Sequence, residues 1–325
     1  MKIRRNRIRA AELRDLEWIG EPLSLESLKG RVVLLHFWDY TYVSSVKSFV
    51  YLTMWHGRYA DKGLQIIAIH APQFEFGRNM DNLRRAVDYL GVPFPVANDV
   101  RMTNWDAYAN RFWPAMFLID REGYLSAYNV GEGGYFEVET TIQELLKEGH
   151  PRLVMPREML AQPEDKTVQH RPISPSLYFS YIRARIGNDC GFRPNEISDY
   201  TIPASPRRDI QYVEGRFLCR PDSMEFAGGR DGRVIVDYDA GDVFLVATPP
   251  ADGQPGVIVI SQDGETVEID AGDAMTHVDG QSRVLIERPD VYHVIHNHTC
   301  SRHRLELVIK TPGVALYCID FMRCD

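Results

Sequence analysis

The densest group of potential metal ligands in this chain lies within residues 293–303. Its members are His293, His296, His298, Cys300 and His303. Because side chains alternate between the two faces of a β-strand, His296 and His298 would share one face and His293 would lie on the other. Imidazole and thiolate groups are the usual ligands of zinc and copper. The segment therefore raises the question of a metal site.

A hairpin turning at Thr299–Arg302 would place His298 opposite His303, close enough for both to bind one ion. Cys300 in the turn would add a third ligand. The spacing matches no established zinc motif, and the sequence shows no supporting groups around the ligands. The alternative is a polar hairpin face on which histidines occupy ordinary surface positions. We favour that alternative and expect no cofactor.

A second group of reactive side chains consists of the hydroxyls of Tyr42, Ser44 and Ser45. They lie between a predicted buried strand and a predicted helix, where free backbone N–H groups favour an anion. A phenol with a pKa near ~10 needs a large shift to ionise at neutral pH, and a serine needs a base that the neighbouring sequence lacks. Three interpretations remain: a helix cap with Tyr42 filling space, a ligand or peptide site, or catalysis through these hydroxyls.

The cysteines all lie in the second half of the chain and include no CxxC pair. They are Cys190, Cys219, Cys300, Cys318 and Cys324. Without an export signal, reduced thiols are expected. A disulfide between Cys318 and Cys324 is one interpretation. A buried Cys318 with a free Cys324 is the one we favour.

Strands alternating with helices predict an α/β unit with a largely parallel sheet in the first half of the chain. The predicted strands are 31–37, 64–70, 94–97, 115–120 and 125–130. The predicted helices are 44–59, 79–90, 104–112 and 136–148.

A proline-rich segment at 149–175 predicts a linker. Short β-rich runs separated by Asp-Gly turns follow it and predict an antiparallel sandwich. These runs are 233–238, 243–247, 256–261, 265–269, 283–287, 292–298, 304–310 and 314–321. The predicted domains are therefore 1–148 and 176–325.

The segment Leu35-His36-Phe37-Trp38-Asp39-Tyr40-Thr41 resembles the TlpA/redoxin branch of the thioredoxin superfamily, and more narrowly the soluble region of DipZ-type proteins. Further matching stretches are 59–64, 69–76, 110–120 and 131–135. Stretches 176–181, 213–217 and 311–317 resemble the family's C-terminal β-domain, which is similar to carbohydrate-binding modules. The resemblance implies a thioredoxin-like α/β domain followed by an all-β sandwich.

The resemblance also implies a dithiol active site, but this chain has Tyr42 and Ser45 where the family motif has its two cysteines. Neither hydroxyl can replace a thiolate in disulfide exchange. Pro114 matches the family's cis-proline, so Trp113-Pro114 is expected to be cis. In the family, the backbone before this proline pairs with an extended substrate segment. Pro114 shaping only the turn is the alternative.

Composition limits the remaining classes. The formal net charge of −8 argues against a general nucleic-acid binder. No apolar run is long enough to span a membrane, and the basic N-terminus lacks the apolar core of a signal peptide. A cytoplasmic location is the expectation that follows.

We therefore predict a redox-inactive thioredoxin-like protein that binds a peptide, a protein or a small ligand at a cleft. The candidate cleft residues are Trp38, Tyr40, Tyr42, Ser44, Ser45, Trp113, Pro114 and Glu132. One alternative is an oxidoreductase or peroxidase-like enzyme that uses a cysteine elsewhere, such as Cys300 or Cys190. Another is a metal- or carbohydrate-binding protein acting through the β-domain.

Overall fold

The structure, a computed structural model, describes residues 7–149, 152–157 and 173–324. The chain divides into two compact units, Met1–Gln169 and His170–Asp325. Most of the linker predicted at 149–175 lies outside the described residues. The thioredoxin-like α/β fold and the all-β fold predicted for the two halves are both confirmed.

The first unit contains a six-stranded mixed sheet in the order β1-β4-β3-β2-β5-β6. Its strands are β1 Glu17–Ile19, β2 Val32–Trp38, β3 Leu64–His70, β4 Val96–Asn98, β5 Ala115–Ile119 and β6 Leu125–Val130. Strands β2, β3 and β4 are parallel, whereas β1, β5 and β6 pair antiparallel to their neighbours.

The helices of this unit agree with the sequence prediction with two exceptions: one predicted helix is divided, and the helix predicted at 104–112 ends at Ala107. They are α1 Val43–Lys47, α2 Phe49–Tyr59, α3 Met80–Leu90, α4 Thr103–Ala107 and α5 Tyr135–Gly149. Ser48 separates α1 from α2 while keeping helical angles, with φ −65° and ψ −22°. Its hydroxyl donates to the carbonyl of Ser45 at 2.6 Å, a contact that bends helices because it competes with the backbone ladder.

Strand β2 is buried along its whole length because helices or loops cover both faces of the sheet. Val32 and Leu34 pack into one hydrophobic cluster with residues of α2, α3 and α5. Val33, Leu35 and Phe37 pack into a second cluster on the other face. This arrangement explains why β2 reads as a continuous apolar run and why it could be identified from sequence. It fixes the end of β2, from which the chain enters α1.

The described strands of the second unit all pair antiparallel, in the order β14-β15-β12-β16-β11-β17-β10-β9-β8. The first six are β7 Leu177–Tyr178, β8 Ile197–Tyr200, β9 Tyr212–Cys219, β10 Met224–Phe226, β11 Gly232–Thr248 and β12 Gly256–Gln262. The others are β13 Glu265–Thr266, β14 Met275–Val278, β15 Gln281–Ile286, β16 Asp290–Ile309 and β17 Ala315–Met322. One continuous hydrophobic core fills this unit.

Two long strands organise this sheet. Strand β11 has 17 residues and β16 has 20, and they pair with each other along most of their length. Strand β11 also pairs with two other strands: its first part pairs with β9, and its last part pairs with β17. The hairpin predicted at Thr299–Arg302 is therefore wrong: the chain continues through these polar residues as one strand. A run of polar residues is typical of a turn, but here these residues belong to an extended strand and their side chains are exposed or half-buried.

Candidate functional site

The residue that precedes α1 is Tyr42, whose backbone is extended with φ −108° and ψ 108° and whose side chain does not cap the helix. Tyr42 is half-buried, and Val43, Ser44 and Ser45 behind it are buried. The first turn of α1 therefore presents little hydroxyl surface. The cap predicted for Ser44 or Ser45 is wrong, because Tyr42 holds the cap position and forms no side-chain cap.

The serine hydroxyls of α1 are directed away from solvent. Ser44 donates to a carboxylate oxygen of Glu132 at 2.8 Å, so the loop after β6 reaches the start of the helix. Ser45 is fully buried, and its hydroxyl has no hydrogen-bond partner among the described residues. A nucleophilic serine needs a base within hydrogen-bond reach, and the part of the chain that the structure describes offers the Ser45 hydroxyl no such base.

A serine–histidine pair does exist one turn further on, between Ser48 and His36. The Ser48 hydroxyl lies 3.0 Å from Nε2 of His36. Since Ser48 directs its own proton to the Ser45 carbonyl, His36 must donate from Nε2. Both side chains are fully buried, and burial lowers the pKa of His36 to about 3. The pair is a neutral core contact and cannot act as a general base on an outside substrate.

A buried polar group that sequence analysis missed lies where β2 and β3 end. Asp39 accepts hydrogen bonds from the backbone N–H of Thr41 at 2.7 Å and of Gln73 at 2.5 Å. His70, whose ring stacks on Tyr40 at 5.1 Å, lies 3.9 Å from Asp39. Burial lowers the pKa of His70, although the Asp39 carboxylate opposes that effect. The group shapes the turn into α1, and its signal was two polar residues ending adjacent parallel strands.

The Trp113-Pro114 peptide bond is cis, which confirms the prediction for Pro114. The carbonyl of Pro114 accepts from the N–H of Gly131 at 2.8 Å, and the Trp113 indole donates to the carbonyl of Ala71 at 2.9 Å. These contacts fix the loop from both sides. The loop is therefore an ordered surface feature.

Apolar side chains are exposed on both sides of this loop. Phe112 is 64% exposed and Val130 is 43% exposed, while Trp113 is partly buried. Val130 lies opposite Ala115 in the β5–β6 register, next to Pro114 in the chain. We call Phe112, Trp113 and Val130 the cis-proline edge. Exposed apolar groups beside backbone of this kind are typical of surfaces that receive an extended segment.

The predicted aromatic patch is only partly at the surface. Trp38 is fully buried and Tyr40 is 4% exposed, because both pack into the core on the α2 side of the sheet. The expectation that they line an accessible cleft is therefore corrected. Tyr42 and Trp113 are the partly exposed members. Glu132 lies at the same end of the unit through its contact with Ser44.

The metal ligands predicted in the second unit do not come together. Cys300 is bonded to Cys324, with 5.7 Å between their Cα atoms, so it is not available as a ligand. His303 contacts Asp263 at 2.7 Å. His298 lies on the same strand as His303 and not opposite it. The predicted set fails because β16 does not turn where the polar residues suggested.

A different cluster is present, formed by Asp242, His293 and His296. Oδ1 of Asp242 lies 2.9 Å from Nε2 of His293 and 2.7 Å from Nδ1 of His296. Burial disfavours the carboxylate, but the two histidine contacts outweigh it and hold the pKa of Asp242 below its usual value. Burial likewise opposes the charged form of His293, yet the contact with Asp242 raises its pKa. Asp242 was not a predicted site residue.

A β-bulge explains why strict alternation failed to group these histidines. Val243 pairs with Ile295 and the next residue, Phe244, pairs with His293, so Val294 is an extra residue on β16. Val294 and Ile295 are consecutive and both buried. One inserted residue resets the alternation and brings His293 and His296 to the same side. The only sequence signal was the two adjacent apolar residues between the histidines.

The sequence predicts reduced thiols, but Cys300 and Cys324 form a disulfide. The Cys300–Cys324 disulfide replaces the predicted free Cys324, whereas Cys318 is buried and free as predicted. Burial raises the pKa of Cys219 to about 11 and that of Cys318 well above its usual value. Cys190 is exposed and free. All five cysteines belong to the second unit.

Comparison with known families divides the chain in the same way as the structure. Residues 6–128 match the AhpC/TSA family, and residues 174–321 match the thioredoxin-like C-terminal domain family. No helix among the described residues has the length and apolar character needed to cross a membrane.

Similar proteins include thiol-disulfide proteins. Protein DipZ of Mycobacterium bovis is 28% identical over 266 residues, which cover 79% of this chain and 37% of DipZ. The chain thus spans little more than a third of that relative. Thiol-disulfide oxidoreductase ResA of Halalkalibacterium halodurans is 30% identical over 42% of this chain and 72% of ResA. A putative thiol:disulfide interchange protein DsbE from Chlorobium tepidum is 23% identical, with a TM-score of 0.40, over 43% of this chain and 96% of that chain.

Proposed function

Because the chain belongs to the TlpA/redoxin-type family of thioredoxin-like proteins, to which DipZ and ResA are related, we propose that its first unit binds extended peptide segments without exchanging disulfides. The binding surface is the cis-proline edge together with Tyr42. The partner is a protein or peptide with an apolar, extended stretch. The disulfide exchange for which the relatives are named is absent from this unit, because its first step requires a thiolate.

The absence of sulfur supports the inactive half of this proposal. Described residues of the first unit include no cysteine, and none occurs in the sequence before Cys190. Disulfide exchange proceeds through a thiolate that attacks a disulfide, forming a mixed disulfide as the first thiol leaves. Tyr42 and Ser45 offer only oxygen at the start of α1. A hydroxyl there cannot form a mixed disulfide and therefore cannot take part in thiol–disulfide electron transfer.

The surroundings of the hydroxyls support the same conclusion for other chemistry. Ser45 is fully buried and lacks a hydrogen-bond partner within the described chain. The nearest serine–histidine pair, Ser48 with His36, is buried and oriented with the imidazole as donor. A nucleophilic serine requires the opposite direction of that hydrogen bond. Hydrolytic or acyl-transfer catalysis is therefore not proposed for this site.

The observation that carries the binding half is the exposed cis-proline edge. Phe112 and Val130 keep large apolar surfaces in solvent beside an ordered loop that Gly131 and Ala71 hold in place. An extended peptide gains affinity from main-chain hydrogen bonds and specificity from side chains that meet apolar neighbours. Loss of the cysteines leaves this kind of recognition unaffected, because none of these contacts involves sulfur.

An insulin-reduction assay with dithiothreitol tests the inactive half directly. We expect the full-length protein to match the rate of the protein-free control. Robust turnover would overturn the proposal. Replacement of Cys190 by serine would then show whether the exposed thiol carries it.

A binding titration tests the other half. The probe is reduced, carboxymethylated α-lactalbumin, a permanently unfolded polypeptide without free thiols, and the readout is the fluorescence anisotropy of a dye attached to it. Phe112→Ser and Val130→Ser are expected to weaken binding by about tenfold each, since each removes roughly 1.4 kcal/mol of apolar contact. Tyr89→Ser is the matched control, because Tyr89 is 88% exposed on α3. Absence of wild-type binding, or equal losses in all three variants, would contradict the proposal.

The cytoplasmic location expected from the sequence stays a prediction. The Cys300–Cys324 disulfide is a cross-link of the kind that persists in oxidising compartments. Maleimide labelling of the protein in cell extracts prepared under acid quench separates the two cases. Labelling of both cysteines would support a reducing location, and protection of both would contradict it.

A further inference from the structure

We propose that Asp242, His293 and His296 form a binding site for one divalent transition-metal ion of the zinc type. The site lies in the second unit, where β11 and β16 pair around the bulge at Val294. It is independent of the peptide-binding surface proposed for the first unit. Of the potential ligands that the sequence singled out, His293 and His296 take part in it. The others, His298, Cys300 and His303, do not.

The geometry points to convergence on one centre. One ligand atom from each residue, namely a carboxylate oxygen and two imidazole nitrogens, lies within 4.8 Å of the others. Zinc binds nitrogen and oxygen ligands at about 2.0–2.2 Å, so tetrahedral ligand atoms are separated by roughly 3.4 Å. The distances of 2.7 and 2.9 Å from Asp242 to the two nitrogens are slightly shorter than that. These two contacts would therefore lengthen by less than about 1 Å for an ion to enter.

A supporting carboxylate holds the first imidazole in place. Oδ1 of Asp273 lies 3.3 Å from Nδ1 of His293, the nitrogen that faces away from the cluster. Metal-binding histidines commonly place their second ring nitrogen against a carboxylate, which orients the ring and makes the ligand more basic. The ring of Phe244 stacks on His293 at 4.5 Å and restricts its rotation. His293 is thus held from both sides.

The loop that supplies Asp273 is pressed against β16. Ala274 donates its N–H to the carbonyl of His293 at 3.1 Å, and Gly272 donates to Val294 at 3.2 Å. A Cβ atom on Gly272 would lie 2.3 Å from the His293 carbonyl oxygen. Glycine is therefore required for the loop to approach this closely. The supporting carboxylate is positioned by backbone packing and not by its own side chain alone.

The donor set selects the class of ion. Two imidazoles and one carboxylate suit zinc and its neighbours, whereas calcium and magnesium prefer sites made of oxygen atoms. The side chain of His296 is 47% exposed, while that of Asp242 is 12% exposed. The cluster is consequently open on the His296 side. Three protein ligands leave a fourth position there for water or a small anion.

Calorimetric titration of tag-free, full-length protein with zinc chloride after chelator treatment tests the proposal. We expect binding of one ion per chain. His296→Gln is expected to remove that binding, since it deletes the most exposed ligand without opening the core. His298→Gln is the matched control, because His298 is an exposed histidine two residues further along β16 and outside the cluster. It is expected to bind as the wild type does.

Two outcomes would overturn the proposal. One is a wild-type protein that binds no zinc. The other is a loss that is equal in His296→Gln and His298→Gln, which would indicate non-specific histidine binding. Circular dichroism of both variants checks that the fold is retained.

Asp273→Asn provides a second measurement that does not remove a ligand. Loss of a supporting partner typically weakens metal binding by about 10- to 100-fold. With cobalt as a spectroscopic substitute, the visible bands of the wild type should persist in Asp273→Asn at higher cobalt concentration. Unchanged zinc affinity in Asp273→Asn would remove the supporting role. Absence of nitrogen-ligand cobalt bands in the wild type would contradict the cluster itself.

Discussion

The His36–Ser48 pair beside α1 and the Asp242 cluster each combine histidine with an oxygen-bearing side chain, yet the two regions have opposite character. His36 and Ser48 are fully buried, and the pKa of His36 is lowered to about 3. In the cluster, the pKa of His293 is raised by its contact with Asp242, and His296 is about half exposed. The imidazole of His36 is enclosed and contributes to packing, whereas the imidazoles of the cluster lie beside a carboxylate, and that of His296 is accessible to a ligand. Burial and partner charge therefore decide the role of a histidine more than the residue type does.

The comparison also separates two ways in which a site is held. The first region depends on core packing, since β2 and the residues behind α1 are buried on every side. The second depends on an irregularity, the bulge at Val294, together with the loop that carries Asp273. Removal of native contacts at the first region should act mainly on stability, and removal of contacts within the Asp242 cluster mainly on binding. The predictions below address what each of the two units gains or loses when such groups are changed.

The largest expected effect is a gain of activity at the first region. If only sulfur is missing there, Tyr42→Cys combined with Ser45→Cys should reduce insulin in the presence of dithiothreitol, while the wild type does not. Tyr42 is half-buried and Ser45 is fully buried, so the pair would provide one attacking and one resolving thiol. Tyr42→Cys alone is the control, because one thiol cannot close the cycle. A folded but inactive double variant would show that the region has lost more than its cysteines.

The second prediction concerns the cross-link of the second unit. The Cys300–Cys324 bond closes a segment with a sequence separation of 24, for which loop-closure arguments give a stabilisation of about 3 kcal/mol. Cys324→Ser should lower the free energy of unfolding by that order, measured by urea titration without reductant. Cys190→Ser, at an exposed free cysteine, should leave it unchanged. Equal midpoints for Cys324→Ser and the wild type would indicate that the bond adds no stability.

The third prediction concerns the hydroxyl that joins α1 to the core. Ser48→Ala removes the hydrogen bonds to the Ser45 carbonyl and from His36 and leaves a buried N–H unpaired. The expected loss of unfolding free energy is about 2 kcal/mol. Ser27→Ala, at an exposed serine, should change it by less than about 0.5 kcal/mol. If Ser48→Ala were as stable as Ser27→Ala, the enclosed pair would not be a packing contact.

The smallest effect is a pH dependence of the first unit. His36 has a pKa near 3 when folded, and a histidine in the unfolded chain has one near ~6.5. Below pH 6.5 the unfolded chain therefore binds a proton that the folded chain does not, and stability falls as the pH decreases toward 3. Above pH 6.5 this group has no effect. At pH 5.5 the loss from His36 is about 1.4 kcal/mol, and buried His70 acts in the same direction.

Urea titrations of the wild type and His36→Gln at pH 7.5, 6.5 and 5.5 check this dependence. The variant should lose less stability between pH 6.5 and pH 5.5 than the wild type. Parallel losses in the two proteins would mean that His36 is protonated in the folded state or does not titrate in this range.

Much of the first unit could be predicted because its signals are local. Strands β3 and β6 begin and end where the sequence indicated, since buried apolar runs and the turn at Gly123 mark them. The cis bond before Pro114 followed from the family resemblance. The break at Ser48 was missed because it depends on one hydroxyl turning back to the Ser45 carbonyl.

The second unit was less predictable because its decisive features connect distant parts of the chain. Strands β7–β10 and β14 were missed, and β11 and β16 were each divided into two. The pairing of Cys300 with Cys324 cannot be deduced when five cysteines are present. Asp242 joins the histidines only through the register of β11 against β16. The alternation of apolar and polar residues along β16 does not reveal the bulge at Val294, because the bulge is defined by how β16 pairs with β11.

The bulge at Val294 compensates for the spacing of the two histidines along the chain. Residues three apart lie on opposite faces of a regular strand, and the one extra residue brings His293 and His296 to the face of Asp242. Deletion of Val294 would leave the histidines two residues apart, a spacing at which a regular strand also places them on one face, so the cluster would survive the loss of the bulge. Among relatives of this chain, histidines three residues apart on a bulged strand and histidines two residues apart on a regular strand should therefore both accompany the carboxylate.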